Sequence, residues 1–392
     1  MLAVLSTHPI QYQAPVYRLI QQRFGVPVTA IYESDFSVAG YHDTEFNVRI
    51  SWDTDLLSGY NSLFLTRTTG TQTGLSLGTA LKRARPDAVL LTGYSPRFHQ
   101  RAFYHAWRLG RPILFRGETI DPTRDVNPWK SRVRRVALRT VYARCSRLLY
   151  VGRRSYEHFK SMACPDEKLM LSPYCVDGSS FQPADMDRDR LRPEARKEMD
   201  LEESQITLLA SGKLTQHKRP HRILQAIKGL LKSGTKPPVV VFLGDGEMVD
   251  ELKRLAATPP VVEVRFVGFR NQTQLSRYYH AADLLVLPSK SETWGLVVNE
   301  ALMHGLPAVV SDGVGCAPDL IRPGVTGEIF EMDSVTDLAA AIQRAFALVR
   351  CAYTRNNCRE IVASYGIEQA AAGIAEAYRA VTSPSGRLRA IG

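Results

Sequence analysis

An α/β fold of two parallel-sheet domains is predicted by three features of the 392-residue sequence. The chain is long for one hydrophobic core and comfortable for two. Short continuous apolar runs alternate with segments of helical period, the pattern of parallel strands buried on both faces between covering helices. Between two such series lies Asp177 to Glu203, charged, interrupted by two prolines and weakly periodic, which reads as a boundary.

In chain order, the runs "LAVLST", "VTAIYES", "AVLLTG", "PILFRG" and "RLLYVG" are expected as strands of the first domain, residues 1–185. "ITLLASG", "PVVVFLG", "VEVRFVG", "DLLVLPS" and "PAVVSD" are expected as strands of the second, residues 186–365. The last segment, 366–392, opens with the helical spacing of "GIEQAAAGIAEAYRAV" and ends in a polar tail. Hydrophobic content of 44% with 9% aromatics is ordinary for a globular protein. The first residues lack a basic region before their apolar run, and no apolar stretch approaches the ~20 residues of a membrane span, so a cytoplasmic location is expected. Six scattered cysteines without zinc-like spacing are expected as reduced structural thiols.

The net charge of +11 is local. Arg97 to Arg154 holds fifteen Lys/Arg and three Asp/Glu, an excess of twelve that covers the whole imbalance. Within it, "WKSRVRRVALRTVYARC" has Val133, Val136, Ala137 and Val141 at helical spacing for burial, with Arg132, Arg135 and Arg139 on another face. Such a helix suits anionic lipid or an anionic substrate, or is a plain solvated face. A nucleic-acid-binding protein would also explain the charge, but no finger, RRM-like or repeat motif is visible and the basic segment lacks interleaved aromatics, so no nucleic acid is expected.

Ligands of open parallel sheets sit beyond the carboxyl ends of the strands. There the second half places Gly212 and Lys213, then Lys218; Gly244, Asp245 and Gly246; Phe269 and Arg270; and "SETWGL", running into a helix. Glycine lets backbone approach a ligand, a helix N-terminus attracts phosphate, and lysines neutralise it. Gly-Asp-Gly alone is also a common turn, and single lysines are common on surfaces. Glu292 and Glu300, eight positions apart, would stand on the order of 10 Å apart, the scale of a nucleotide sugar. Glu292 would accept from sugar hydroxyls and Glu300 from the ribose, with the diphosphate at the helix start around Trp294, Gly295 and Leu296; the alternative is a capping and a surface glutamate.

"SETWGLVVNEALMHGLPAVVSD" resembles the Glu, seven residues, Glu signature of the retaining family four glycosyltransferases of GT-B fold. "SGKLTQHKR", "FLGDGEM" and "GCAPDLIRPGVTGEIF" are similar to that family's diphosphate segment, glycine turn and following segment, and "LMLSPYCVDGSSF" to its interdomain strand. The resemblance implies two Rossmann-like domains facing across a cleft, the donor on the second, the acceptor on the first, and the last helix crossing back to the first. It implies transfer from a nucleotide-diphosphate sugar to a hydroxyl acceptor with retention, without cofactor or metal. Lys213, Lys218, Gly212, Gly295 and Leu296 would hold the diphosphate, Glu300 the ribose and Glu292 the reacting sugar; Gly244, Asp245, Gly246, Phe269, Arg270, Thr293 and Trp294 would line the rest.

The first half departs from the family pattern. "STHPIQYQAPVY" replaces the glycine-rich loop, and Arg116 and Glu118 stand where a histidine is common. His8 and Glu118, both following predicted strands, are the candidate catalytic groups there, and Arg116 with Arg132, Arg135 and Arg139 would face an anionic or lipid-linked acceptor at an anionic membrane. A sugar-nucleotide epimerase of the same fold is the alternative activity.

Overall fold

The computed structural model describes residues 1–43, 48–50, 52–67, 75–118, 128–232 and 237–383. The chain forms two compact units. The first comprises Met1–Tyr41, Thr54–Cys175 and Gly366–Gly392, the second His42–Asp53 and Val176–Tyr365.

In the first unit, β1 (Leu2–Ser6), β2 (Val28–Ser34), β5 (Asn61–Thr66), β6 (Ala88–Leu91), β7 (Ile113–Gly117), β8 (Arg147–Tyr150) and β9 (Leu169–Leu171) form one parallel sheet in the order β5-β2-β1-β6-β7-β8-β9. Strands β3 (Tyr41–Asp43) and β4 (Val48–Ile50) pair separately. In the second unit, β10 (Thr207–Ser211), β11 (Val239–Leu243), β12 (Val264–Phe266), β13 (Leu284–Leu287), β14 (Ala308–Ser311) and β15 (Gly327–Phe330) lie parallel in the order β12-β11-β10-β13-β14-β15. Its core packs both sheet faces under helices, with Leu208, Val240, Phe242, Leu284, Val286 and Val309 buried among Ile223, Ile227, Leu338 and Ile342.

All ten runs expected as strands form strands. The edge strands β5, β9 and β15 were not expected, because an edge is covered on fewer sides and needs no continuous apolar run; β5 alternates exposed and half-buried residues. The stretch read as a boundary holds a helix, Asp185–Glu198. Its inward face is built from arginines, which hides it from a search for apolar period. Arg196 donates to Thr207 Oγ1 at 3.2 Å and the Ala281 carbonyl at 2.7 Å, and Arg192 pairs with Asp283 at 3.0 Å.

The basic segment forms the expected helix, Pro128–Arg144, but with its faces otherwise assigned. Leu138 and Tyr142 are buried, whereas Val133 and Val136 are 56% and 62% exposed and Ala137 is exposed. Three buried aromatics, Phe115, Tyr142 and Phe159, pack as a cluster with ring centroids 5.1 to 6.4 Å apart, and this cluster sets the rotation of the helix in place of the smaller valines. Arg132, Arg135 and Arg139 are exposed, with Arg135 bonded to the Ser161 carbonyl.

The helix Ile367–Thr382 belongs to the first unit. Gly373 lies so close to β9 that a Cβ there would stand 1.9 Å from the Leu171 carbonyl oxygen, and Ser172 Oγ donates to the Ala370 carbonyl at 2.9 Å. Residues 384–392 lie outside the described residues.

Candidate active site

The strand order reverses at β10 in the second unit, with β11 on one side and β13 on the other, so the loops after β10 and β13 diverge around a crevice. Gly212, Lys213 and Lys218 follow β10; Glu292, Thr293 and Gly295 follow β13. Gly212, Lys213 and Lys218 line one recess of about 20 Å³ with Val286 and Leu287.

The glycines divide into two kinds. Gly212 has φ +118° and its missing Cβ points into open space, with nothing within 4 Å. Gly244 (φ +143°) and Gly246 (φ +154°) face protein: a Cβ would stand 1.9 Å from the Gly212 carbonyl oxygen and 2.6 Å from that of Leu214. The Gly-Asp-Gly turn therefore supports the neighbouring loop, and Asp245 closes it by accepting from the Gly246 N–H at 2.7 Å.

The Glu292 loop is tied on two sides. Lys290 N–H donates to the His217 carbonyl at 2.9 Å, and Gly315 N–H to the Glu292 carbonyl at 3.0 Å. Lys218 and Glu292, singled out separately in the sequence, form an ion pair with each other. Ser289 Oγ donates to the same Glu292 oxygen at 2.7 Å. Gly295 caps the helix Leu296–Met303 with φ +106°, so the first N–H groups of that helix lie beside the Glu292 loop.

Glu300 lies within this helix and is 2% exposed. Its Oε2 accepts from the Tyr279 hydroxyl at 2.5 Å, and Tyr279 reaches Ser211 Oγ, at the end of β10, at 3.3 Å. The Tyr279 ring stacks on His304 at 5.0 Å. His304 Nδ1 meets the Glu300 carbonyl at 2.7 Å, so it carries the proton, and Nε2 is left to accept from Ser276 Oγ at 2.9 Å. Burial pushes the His304 pKa down to about 3, which keeps the ring neutral. Sequence reading missed Tyr279, Ser289 and His304, whose types are common in any core; only a three-dimensional neighbour gives them meaning.

Two expected roles change. Trp294 is 3% exposed, donates to Asn299 Oδ1 at 2.7 Å and packs on Tyr365, so its side chain anchors the loop from inside and does not line a ligand surface. Arg116 is 7% exposed and donates to Ser172 Oγ at 3.0 Å and the Pro173 carbonyl at 2.7 Å, with its guanidinium over the Tyr174 ring. It ties β7 to the chain after β9 and is not presented to an acceptor. Both changes have one cause, the large area that a Trp or Arg side chain can bury when its polar atoms find partners.

Phe269 and Arg270 stand after β12, where Arg270 is occupied by the Tyr278 hydroxyl at 3.1 Å and the Phe269 carbonyl at 2.9 Å. In the first unit β1 lies at the corresponding reversal, between β2 and β6, and His8 follows it. His8 lies 2.9 Å from Thr7 Oγ1 and against the Phe36 ring, and burial lowers its pKa. Glu118 follows β7 and is hydrogen-bonded to Tyr174, whose phenol is held well above its usual pKa first by burial and then by that carboxylate.

Two parallel α/β units, the second with glycine, lysine and a helix start gathered at its strand reversal, define a GT-B fold. The chain is similar in structure to Anabaena HepE in complex with UDP, with TM-score 0.71 and 16% identity over 96% of this chain and 98% of that one. Residues 192–363, within the second unit, match the family model described as glycosyl transferases group 1. The chain is 29% identical over 252 residues to D-inositol 3-phosphate glycosyltransferase of Actinosynnema mirum, covering 60% of this chain and 59% of the relative. It is 28% identical over 216 residues to alpha-monoglucosyldiacylglycerol synthase of Streptococcus pneumoniae, covering 52% and 48%. The chain thus spans about half to six tenths of the length of these relatives.

Proposed function

We propose that the protein transfers a sugar from a nucleoside diphosphate sugar to a hydroxyl acceptor with retained anomeric configuration and without a metal. The observation that carries the reading is the convergence, within one unit, of Gly212, Lys218, Glu292, the helix start at Gly295 and the buried Glu300 around the strand reversal. The diphosphate would lie over Gly212 toward Lys213, Lys218 and the helix N-terminus, whose dipole and N–H groups favour negative charge. Donor binding exchanges partners: Lys218 turns from Glu292 to phosphate, and Glu292 is released to accept from a sugar hydroxyl. Glu300, held by Tyr279, would take the ribose.

In the transfer the anomeric carbon–oxygen bond to the diphosphate breaks and a bond to the acceptor oxygen forms on the same face. The acceptor hydroxyl proton passes to the leaving phosphate, and the lysines and helix dipole stabilise the developing charge. Calorimetry with UDP, GDP, ADP and their glucose esters tests the donor assignment. Glu300→Ala should weaken nucleotide and nucleotide sugar alike, and Glu292→Ala mainly the sugar ester and turnover. No binding of any of these ligands would sink the reading. Proton NMR of the first-formed product, with EDTA present, tests retention and metal independence; a β-linked product from an α-linked donor would overturn the first.

The acceptor side is proposed to work at an anionic membrane. Trp129, Val133 and Val136, spaced by four and three residues, share the outward face of the Pro128–Arg144 helix between Arg132 and Arg139, and Trp129 is 71% exposed. On the helix Arg97–Arg108, Tyr104 and Trp107 are also exposed, and Arg144 lies over the Trp107 ring at 5.9 Å. Neither helix contains Asp or Glu. Among the described residues no helix is long and apolar enough to cross a membrane, and the proposed contact is peripheral.

A further inference from the structure

At the opposite edge of the second sheet, where Asp283 leads into β13 and Pro307 into β14, lies a cavity of about 210 Å³. It is lined by Arg188, Arg350 and Arg355, by Thr354, and by the inner sides of Tyr279 and His304. We propose that this cavity binds a phosphate group, as the free anion or as a small phosphate monoester, and that its occupancy is felt at Glu300 through Tyr279 and His304.

Charge is the first support. Asp283 is the only carboxylate in the lining, and both its oxygens are engaged: Oδ1 takes Arg192 at 3.0 Å and Oδ2 the Thr207 N–H at 2.9 Å. The Arg350 side chain makes no hydrogen bond or ion pair to a described residue. Among the described residues Arg188 makes one hydrogen bond, to the His280 carbonyl at 2.7 Å, and no ion pair. Arg355 pairs with Asp185, which it shares with Arg359. Burial, followed by the neighbouring Arg192 and Arg355, lowers the Arg188 pKa to about 10.

A second support is a buried hydroxyl. Thr354 is 2% exposed, and its hydroxyl oxygen is buried without a hydrogen bond of standard geometry. After the Tyr353 backbone, that hydroxyl helps to lower the pKa of the exposed Cys351 thiol beside it. Three arginines and one hydroxyl around a small void suit the compact, multiply accepting phosphate, which guanidinium forks bind in pairs. The volume suits a small group: it is several times the roughly 30 Å³ of one water and below the ~300 Å³ at which drug-sized pockets begin.

The coupling follows from the shared wall. Tyr279 holds the Glu300 carboxylate and His304 the Glu300 carbonyl, so an anion that draws the arginines together braces both from behind. This part rests on the proposed ribose role of Glu300; the binding site itself does not. The test is calorimetry with inorganic phosphate and with glycerol 3-phosphate at millimolar concentration, with UDP saturating so that the strand-end site is filled. One-to-one binding is expected, weakened about ten-fold or more in Arg350→Ala, the loss of one charged hydrogen bond, and more weakly in Thr354→Val. The exposed Arg350 can be removed without disturbing the fold, and a thermal melt checks this. Tighter binding of the ester than of phosphate assigns a monoester, and the reverse the free anion. No binding of either, or binding unchanged in both Arg350→Ala and Arg188→Ala, overturns the site. Phosphate binding that leaves UDP affinity unaltered overturns the coupling alone. Absence of UDP binding defeats the donor reading instead; the comparison of wild type with Arg350→Ala, repeated in a Lys218→Ala background, then still decides on the cavity.

Discussion

The ends of the strands in the two units use their charged side chains in opposite ways. At the end of β7 in the first unit, Arg116 and Glu118 are bonded into the chain that follows β9. At the reversal in the second, Lys218 and Glu292 are bonded to one another, at 26% and 15% exposure. A partly exposed ion pair can be exchanged for ligand contacts, because each partner that leaves can find another. A guanidinium buried among carbonyls cannot leave without stranding them. The same architecture thus holds an exchangeable pair in one unit and a fixed clamp in the other.

The sharpest way to break this comparison is at the glycines. Gly244→Ala should destabilise the protein by about 3 kcal/mol in urea denaturation, since its Cβ would collide with the Gly212 carbonyl at a φ that L residues avoid. Gly212→Ala meets open space and should cost about 1 kcal/mol of stability from backbone strain, with a larger effect on nucleotide affinity. If both variants lose stability equally, the two kinds of glycine are one.

The clamp and the pair give the next contrast. Arg116→Ala should lower stability by about 2 kcal/mol and leave UDP affinity unchanged, whereas Lys218→Ala should lower UDP affinity by about 2 kcal/mol and leave stability nearly intact. The reverse assignment would exchange their roles.

A pH series probes the shell beneath Glu300. The pKa values of His280 and His304 are pushed down to about 4 and about 3 by burial, below the roughly 6.5 of an exposed histidine. The unfolded chain therefore takes up protons first, and stability should fall as pH drops from about 6.5 toward 4, by about 1 kcal/mol per histidine at pH 5.5, with no contribution from either above pH 7. Replacing His304 by Gln should flatten that slope; an unchanged slope would place the titration elsewhere.

The smallest effects are expected on the outward helix face. Charge reversal at Arg132 and Arg139 should weaken binding to anionic vesicles by about 1 kcal/mol each, and at Arg135 by less, because it is bonded to the Ser161 carbonyl. Trp129→Ala should weaken it independently of salt. Wild-type protein that ignores such vesicles at low salt leaves the helix a solvated face.

The fold was legible where burial is two-sided: every continuous apolar run became a strand, and the reversals at β1 and β10 place His8 and Gly212 at the ends of central strands. The edge strands β5, β9 and β15 and the Asp185–Glu198 helix were not, since their packing uses short segments and arginines in place of an apolar period. In the candidate site, residue types and spacing named Lys218, Glu292 and Glu300, but not that Lys218 would hold Glu292 or that Tyr279 would hold Glu300. Such pairings are long-range facts, seventy-four residues apart in the first case, and no local pattern encodes them. The valines of the basic helix show the reverse error, in which a correct period was assigned the wrong face because a neighbouring aromatic cluster fixed the rotation.

The helix Ile367–Thr382, which completes the first unit, is made after every strand of both units. Until residues 366–382 emerge, Ser172 Oγ and the surface beside β9 lack the Ala370 carbonyl and the close-packed Gly373. The second unit, made of His42–Asp53 and Val176–Tyr365, has all its strands before that moment. During synthesis the second unit therefore has all its residues before the first unit does. Translation of residues 176–382, which separate β9 from the end of the helix that covers it, sets how long that surface stays exposed.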